Sequence, residues 1–424
     1  MLSLMEKLLE IKKLRKLKIV LVFYSLFYTF ANNNKMTTDM KRIIAIAAIF
    51  LQTTGICLAD DWMGQLDDNA FFSQISIPGT HDSATGDGWT GFLGEMVGAS
   101  MGQTQDLTIA QQLACGVRAF DLRPCVKDNE LVINHGMLQT KAKYPETLKL
   151  LCQFVKGHPT EFVVVVMRHE SDGDSNSNQW GSMMESCLSS TDIRAQLADY
   201  KHNITVGELR GKVLILSRDA YANNPIGGFI TGWAHQADYA TGTIKGPGTI
   251  AGKLYVQDFY EVLENMTAKL SGIEKLLNFS TKNNVASAKQ FVVCVNCTSG
   301  YTESASTNGN RDNAVKCNKK VIDYLSDEAH AGPTGIILMD FAGTDKSDSK
   351  EVNGLKLVNT IIANNQRYTP VKKGGSTGIT LFGKHQQQRS ARFDLVGRQL
   401  GHGTTQTPIV IGRDKAGNIK KMLR

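Results

Sequence analysis

The stretch "YPETLKLLCQFVKGHPTEFVVVVMRH", residues 144–169, decides the fold class. Its first part repeats apolar residues at helical spacing, and its second part is an unbroken apolar run rich in valine. Strands that are buried on both faces of a parallel sheet have such continuous runs. A helix that leads directly into a buried strand therefore predicts helices packed around a parallel sheet.

Similar apolar runs occur on both sides of this stretch. The eight strand candidates are "SQISI", "VRAFDLR", "ELVINH", "EFVVVVMRH", "KVLILSR", "KLYVQDF", "QFVVCVNC" and "GIILMDF". Further helices are predicted at "STDIRAQLADYK", "NAVKCNKKVIDYLSDEAH" and "KEVNGLKLVNTIIAN". The order of elements predicts an α/β fold, a (β/α)8 TIM-like barrel. Residues 221–252 are rich in Gly, Ala and Thr and predict a long loop, which would make the barrel irregular.

Composition divides the chain into three parts. Residues 1–59 contain the apolar run "IIAIAAIFLQTTGICLA", which predicts a secretory signal peptide cleaved after Ala59. Residues 60–370 are predicted to form the barrel, and residues 371–424 a basic C-terminal extension that ends in a hairpin. An earlier apolar segment, residues 19–31, leaves open whether the chain is anchored instead.

Charge is distributed unevenly along the chain. Residues 1–59 have a net charge of +6, residues 372–424 of +9, and the residues between them of −8. The total of +7 therefore reflects basic ends on an acidic body and does not indicate nucleic-acid binding. We expect a secreted monomer that acts at membrane surfaces, with the basic extension either binding anionic lipid or serving as a solubilising tail.

Seven cysteines follow the predicted cleavage site, at positions 115, 125, 152, 187, 294, 297 and 317. In a secreted protein they favour disulfides, with at least one cysteine left unpaired. The motif "CVNC", Cys294 to Cys297, invites a zinc or redox interpretation, but the sequence has no second metal-spaced pair. We favour a buried strand in which one of these two cysteines pairs with Cys317.

Seven of the strand candidates end in charged or imidazole side chains. In chain order these are His81 with Asp82, Asp121 with Arg123, His135, Arg168, Arg218, Asp258 with Tyr260, and Asp340. One such residue is ordinary strand termination, but seven unpaired charges near a core would be costly. Barrel enzymes collect their catalytic groups at the C-terminal ends of the strands. We therefore predict that these residues form one active site.

The residue types suit phosphoryl transfer. Two imidazoles, His81 and His135, can serve as general base and general acid. The three arginines supply fixed positive forks for a phosphate group, and the carboxylates can orient them. The sequence has no nucleophile elbow and no phosphate-binding P-loop, which argues against acyl transfer and nucleotide hydrolysis.

Two motifs and the opening stretch together resemble a known family. "ISIPGTHDSAT", "VRAFDLRPCVKDNELVINHG" and residues 144–170 are similar to the catalytic X region of bacterial-type phosphatidylinositol-specific phospholipase C. The likeness is close from about Gln74 to Glu170 and looser to about Ala342. It implies an irregular barrel that cleaves phosphatidylinositol to diacylglycerol and inositol 1,2-cyclic phosphate.

The resemblance also implies a role for each candidate. His81 would be the general base, held by Asp340, and His135 would protonate the leaving glycerol oxygen. Asp82 and Asp121 would assist the acid and the arginine. The remaining implied roles concern the inositol ring: Arg218 and Asp258 would bind its hydroxyls, Tyr260 would stack on it, and Arg168 would stand where bacterial members often have Lys.

The resemblance bears on metal dependence as well. Calcium-using relatives have Asn after the first histidine and acidic ligands where this chain has Asp121 and Arg123. Here Asp82 follows His81, and a guanidinium would neutralise phosphate charge as a cation does. We expect a calcium-independent enzyme with no cofactor, acting on phosphatidylinositol or on glycosylphosphatidylinositol anchors.

Three alternatives remain open from the sequence. The chain could be a catalytically silent phosphoinositide-binding barrel module, which the two histidines and Asp340 argue against. It could also be a metal-dependent barrel of the glycerophosphodiesterase or sphingomyelinase D type, which Arg123 argues against. Finally, the glycine-rich loop around Trp89 could either enter a lipid interface or pack on the protein surface.

Overall fold

The computed structural model describes residues 61–222, 225–261, 265–282, 291–302, 309–373, 409–413 and 419–423, the last two as backbone only. The chain divides into two units, Met1–Gly375 and Ser376–Arg424. In the second unit, Ile409–Arg413 and Ile419–Leu423 pair antiparallel, as expected for the predicted hairpin. The predicted signal peptide lies outside the described residues, and the domain boundaries stay predictions.

The strands of the first unit are β1 Ser76–Thr80, β2 Ala119–Leu122, β3 Pro124–Lys127, β4 Glu130–His135, β5 Leu138–Lys143, β6 Val163–Met167, β7 Leu197–Ala198, β8 Val213–Ser217, β9 Gly228–Thr231, β10 Ala240–Lys245, β11 Gly252–Gln257, β12 Val293–Cys297, β13 Gly335–Met339, β14 Lys346–Ser347 and β15 Lys350–Glu351. Within the described residues, nine of them form the order β6–β2–β1–β13–β12–β11–β10–β9–β8, and β8 pairs with β6 to close a barrel. The predicted α/β barrel is confirmed, with nine strands instead of eight.

The α-helices of this unit are Gly91–Leu93, Ile109–Ala114, Tyr144–Gly157, Trp180–Ser189, Thr191–Arg194, Val206–Leu209, Met266–Ser280, Gly309–Ser326 and Gly354–Asn364. A π-helical segment spans Gly94–Gly102, and 3₁₀ turns span Trp62–Gln65, Phe72–Gln74, Ser83–Asp87, Ser171–Gly173, Ser177–Gln179 and Glu328–His330. The predicted helix at residues 190–201 is wrong beyond Arg194, because the chain turns there and enters β7.

Strand β6 shows why the valine run folds as predicted. All five of its residues are buried. Val163 and Val165 pack towards the helices in one hydrophobic cluster, whereas Val164 and Val166 lie in the cluster that fills the barrel interior. Both faces of this strand are covered, which favours apolar side chains at successive positions and explains the continuous run.

The strand candidate "ELVINH" does not belong to the barrel. It forms β4, the central strand of a separate antiparallel sheet with β3 and β5. Asp128 and Asn129 both have positive φ angles, 51° and 60°, and form the two-residue turn of the β3–β4 hairpin. Asp and Asn tolerate this left-handed conformation better than most residues with a side chain, which suits both of them to the turn.

The prediction of a long loop at residues 221–252 is also wrong in part. This stretch contains β9 and β10, and β10 is antiparallel to both β9 and β11. An added Cβ at Gly242 would lie 2.0 Å from the carbonyl oxygen of Thr231. Glycine is therefore required by the close approach of two backbones, and here it marks a strand pair.

The cysteines differ from the prediction as well. Cys294 and Cys297 are buried in β12, as expected, but they belong to different hydrophobic clusters of the barrel wall. Burial raises the pKa of both thiols above its ordinary value. All seven described cysteines are free thiols, so the predicted bridge to Cys317 is not formed.

Candidate active site

The register of two barrel strands brings His81 and Asp340 together. β1 pairs with β13 so that Thr80 lies opposite Met339, and a predicted site residue directly follows each strand. His81 Nδ1 lies 2.9 Å from Asp340 Oδ1. The side chain of Gln105 donates to the carbonyl oxygens of His81 and Met339, at 2.9 Å each, and holds the two strand ends together.

The carboxylate of Asp82 lies between both histidines and an arginine. Asp82 Oδ2 is 3.1 Å from His81 Nε2 and 3.4 Å from His135 Nε2. Asp82 Oδ1 is 2.8 Å from Arg123 Nε. The centroids of the two imidazole rings are 6.4 Å apart. The two histidines, which are 54 positions apart in the sequence, thus face one buried carboxylate.

The charges of this cluster shift its pKa values in opposite directions. Burial disfavours the charged form of His81, but Asp82 and Asp340 overcome it and raise the pKa of His81 from 6.5 to about 9. Burial likewise opposes the charge of Asp82, but Arg123 and the imidazoles lower the pKa of this carboxyl to about 2. At neutral pH the cluster therefore holds an ionised Asp82 and a proton on His81.

Arg123 is surrounded by acidic side chains. Its Nη2 is 2.9 Å from Asp121 Oδ2, and its Nη1 is 3.6 Å from Glu170 Oε2. Burial opposes its charge, but Asp121 and Asp82 hold the pKa of Arg123 well above its ordinary value. Its guanidinium therefore remains a fixed positive charge beside both histidines.

His135 reaches the site from the separate sheet. It ends β4, and Gly136, with φ of 56°, turns the chain into β5. The ring Nδ1 lies 2.8 Å from the carbonyl oxygen of Gly102, which can only accept, so Nδ1 carries a proton. This contact leaves Nε2 directed at Asp82.

The four candidates for ring binding lie beside this cluster. Asp258 follows β11 and accepts a 2.7 Å hydrogen bond from Trp233 Nε1. The guanidinium of Arg218 stacks over the Trp233 ring, 4.1 Å from its centroid. Tyr260 is half-buried, and its ring meets the ring of His235 edge-on, 4.8 Å between centroids.

Burial and neighbouring charges act on this part of the site too. Burial opposes the charge of Asp258, but His235 and Arg218 lower the pKa of its carboxyl well below the ordinary value. Burial lowers the pKa of Arg218, against the pull of Asp258. Within the described part of the chain, neither Arg168 nor Arg218 has a carboxylate within ion-pair distance. Both cations are thus available to an anionic ligand.

Sequence reasoning missed several contributors. Trp233 and His235 fall in the stretch interpreted as loop, and Gln105 and Glu170 have no motif of their own. The one sequence signal for Glu170 is its position two residues after Arg168, in "MRHE". His169, next to Arg168, is 2.7 Å from Asp174 and stacks on Trp180, so it contacts neighbouring side chains of the protein. The Trp89 side chain itself is buried, whereas Phe92 and Met96 of the same loop are exposed.

Three side chains of the cluster are of types that bind metal ions. His81, Asp82 and Asp121 each offer a ligand atom, all within 4.8 Å of one another. The guanidinium of Arg123 already contacts both carboxylates, at 2.8 and 2.9 Å. A divalent cation at this point would meet a fixed positive charge at close range, so these residues do not fit a metal ion.

Comparison with known proteins agrees with this arrangement. The family model "Phosphatidylinositol-specific phospholipase C, X domain" matches residues 75–219, which include His81, His135 and Arg123. Residues 75–219 are therefore similar to the X domain of this family. The X-domain match begins at β1 and ends just after β8, so it covers the strand ends that carry the two histidines.

Individual relatives extend the X-domain likeness over the barrel. A 1-phosphatidylinositol phosphodiesterase of Staphylococcus aureus (strain Newman) is 26% identical over 67% of this chain and 88% of its own length. The corresponding protein of Listeria monocytogenes is 30% identical over 37% of this chain and 48% of its own length. A solved phosphatidylinositol-specific phospholipase C mutant from S. aureus superposes with a TM-score of 0.60 at 22% identity, covering 73% of this chain and 99% of that one.

Proposed function

We propose that the chain is a calcium-independent phospholipase C that cleaves phosphatidylinositol to diacylglycerol and inositol 1,2-cyclic phosphate. The observation that carries this proposal is the pair of imidazoles on either side of Asp82, with ring centroids 6.4 Å apart. The names of the S. aureus and L. monocytogenes relatives support the substrate class.

In the first half of the reaction, His81 acts as general base. Asp340 holds Nδ1, which leaves Nε2 to take the proton of the inositol 2-hydroxyl. The 2-oxygen then bonds to phosphorus and closes the cyclic phosphate. Asp340 and Asp82 stabilise the imidazolium that forms, because each contributes a negative charge within about 3 Å of a ring nitrogen.

In the second half, the bond between phosphorus and the glycerol oxygen breaks. Protonated His135 delivers its Nε2 proton to that oxygen, and diacylglycerol leaves as a neutral alcohol. The carbonyl of Gly102 fixes the ring orientation during this transfer. One proton enters the site on the substrate hydroxyl and one leaves on the product, so the charge of the pair is conserved.

Arg123 takes the place that a calcium ion would need. Its guanidinium is fixed by Asp82 and Asp121 and neutralises charge on the phosphate oxygens in the transition state. The wild-type protein should therefore retain its activity in excess chelator.

A membrane surface is the proposed setting. The rim segment, residues 91–102, exposes Phe92 at 80% and Met96 at 60%, and Met137 beside His135 is exposed at 67%. Such an apolar edge at the mouth of a site suits contact with lipid. Among the described residues, no helix is long and apolar enough to cross a bilayer. Secretion, the monomeric state and action on glycosylphosphatidylinositol anchors are part of the proposal and rest on the sequence.

The test is the release of cyclic inositol phosphate from phosphatidylinositol in detergent micelles, with chelator present. We expect His81→Ala and His135→Ala to lower kcat by roughly 10²–10⁴-fold. His158→Ala is the matched control, because His158 contacts Asp61 and Phe154 at the end of a helix that leads into the opposite end of the barrel.

The alternatives give different results in the same assay. A wild-type protein that binds phosphatidylinositol vesicles but releases no product would be the silent binding module. Activity that disappears in chelator would indicate a metal-dependent barrel. Release of an anchored protein, with free phosphatidylinositol left intact, would shift the substrate to the glycosylated lipid.

A further inference from the structure

His235 contacts three of the four residues that the proposed function assigns to the inositol ring. Its Nδ1 is 3.1 Å from Asp258 Oδ2, and its Nε2 is 3.4 Å from the Nη2 of Arg218. Its ring meets Tyr260 edge-on at 86°. No other histidine in the described residues touches this part of the site.

The partners of His235 determine its proton arrangement. The guanidinium of Arg218 has only donors, so Nε2 must accept from it with a lone pair. The proton of the neutral ring is then on Nδ1 and is donated to Asp258. The histidine thus bridges a carboxylate and a guanidinium that have no direct ion pair with each other.

We propose that His235 is a positioning residue of the polyol pocket, which holds Arg218 and Asp258 at the spacing that recognises neighbouring ring hydroxyls. A carboxylate accepts from one hydroxyl while a guanidinium donates to the next, so a vicinal diol matches the pair. A direct ion pair between Arg218 and Asp258 would make both side chains unavailable to the ligand. The imidazole of His235 lies between them and prevents this ion pair.

The loop that carries His235 supports this role. Residues 232–239 connect β9 to β10, and Trp233 in the same loop also contacts Arg218 and Asp258. Arg218 and Asp258 follow two other strands, β8 and β11. A single loop thus fixes two side chains that come from separate parts of the barrel.

This inference rests on the proposed function and is tested by separating KM from kcat. His235→Ala should raise KM for phosphatidylinositol in mixed micelles, and Ki for myo-inositol as a competitor, by roughly tenfold or more, since hydrogen bonds to two charged groups are lost. The kcat should stay within about threefold, because His235 does not contact His81, His135 or Asp82.

Two amide variants separate the contributions of the two ring nitrogens of His235 to the affinity. His235→Asn keeps a donor near the Nδ1 position, whereas His235→Gln keeps an acceptor near the Nε2 position. Each should recover part of the affinity lost in His235→Ala, and His158→Ala should behave as the wild type. Thermal unfolding of all variants shows whether any loss comes from the fold instead.

The outcomes separate the two proposals. If the wild-type protein releases no cyclic inositol phosphate, the proposed function fails. If it does and His235→Ala leaves KM and the myo-inositol Ki unchanged, the positioning role alone is refuted. A drop in kcat with constant KM would also refute it, because it would place His235 in the chemical step.

Discussion

The pH dependence of turnover tests the charge balance around His81. Asp340 and Asp82 lie 2.9 and 3.1 Å from its two ring nitrogens. Burial opposes the imidazolium, but these charges raise its pKa from 6.5 to about 9, which corresponds to about 3 kcal/mol. Near neutral pH the empty site therefore keeps a proton on His81.

In the proposed mechanism this proton must be on the imidazole ring of His135 instead. The proposed roles require neutral His81 and protonated His135, so the two rings together must carry one proton more than two neutral imidazoles. The profile of kcat/KM against pH is then bell-shaped, and its limbs belong to the pair. We expect the alkaline limb near pH 9, where the last proton leaves.

The substitution Asp340→Asn removes the charge nearest to Nδ1 and keeps a side chain of similar size. In this variant burial still lowers the pKa of His81, and mainly the charge of Asp82 still raises it. We therefore expect the alkaline limb to move down by roughly two pH units. The maximal kcat should fall by about 10²–10³-fold, because the imidazolium formed in the first half loses a stabilising carboxylate. Steady-state kinetics on phosphatidylinositol micelles, with both proteins, measure both changes.

An alkaline limb that stays near pH 9 in Asp340→Asn would refute this reasoning. Folding stability gives an independent check. A group with a raised pKa stabilises the fold fully below its unfolded value of 6.5 and loses that contribution as the pH rises to about 9. The unfolding free energy of the wild type should fall over this interval by up to about 3 kcal/mol, and His81→Ala should lack this fall.

Three further predictions concern other parts of the molecule. Arg123→Lys keeps the charge but cannot bridge Asp82 and Asp121, so kcat should fall by roughly 10²-fold at an unchanged melting temperature; a wild-type kcat would contradict this. Arg118→Ala leaves Glu161 buried without its 2.7 Å partner, and denaturant titration should show a loss of about 3–5 kcal/mol; an unchanged midpoint would disprove it. Phe92→Ser should weaken binding to phosphatidylinositol vesicles by roughly tenfold or more in sedimentation, and equal binding would exclude the rim segment as the lipid contact.

The parts of the fold that depend on burial on both faces could be predicted from the sequence. The runs that form β6, β8 and β13 are nearly continuous because both faces of each strand are covered, which favours apolar side chains at successive positions. A charged residue directly follows each of these runs, so Arg168, Arg218 and Asp340 could be placed at one mouth of the barrel. The contact of His81 with Asp340 then follows from parallel pairing of β1 and β13.

The sequence did not reveal the strands that have an exposed face. It also did not reveal features that depend on contacts between residues distant in the sequence. In β9 and β10, buried residues alternate with exposed ones and glycine, so no apolar run marks them. The place of β4 outside the barrel depends on which strand it pairs with, and an apolar run carries no information about its partner. The role assigned to His235 required coordinates, because its contacts come from the ends of two strands, β8 and β11, that are far apart in the sequence.

The two parts of the site arise from different kinds of structure, and this affects how each can change. His81, Asp340 and Arg123 sit at the ends of parallel strands whose every residue is packed, so a shift in any of them would disturb the barrel. Trp233 and His235 lie on the loop between β9 and β10, two strands that are only partly buried. Strand β10 is antiparallel to both of its neighbours, β9 and β11. If His235 holds Arg218 and Asp258 as proposed, substitutions in that loop alter the spacing of these two residues without moving the imidazoles. Headgroup preference in this chain can therefore change while the phosphoryl-transfer chemistry stays the same, and KM, not kcat, is where such change is measured.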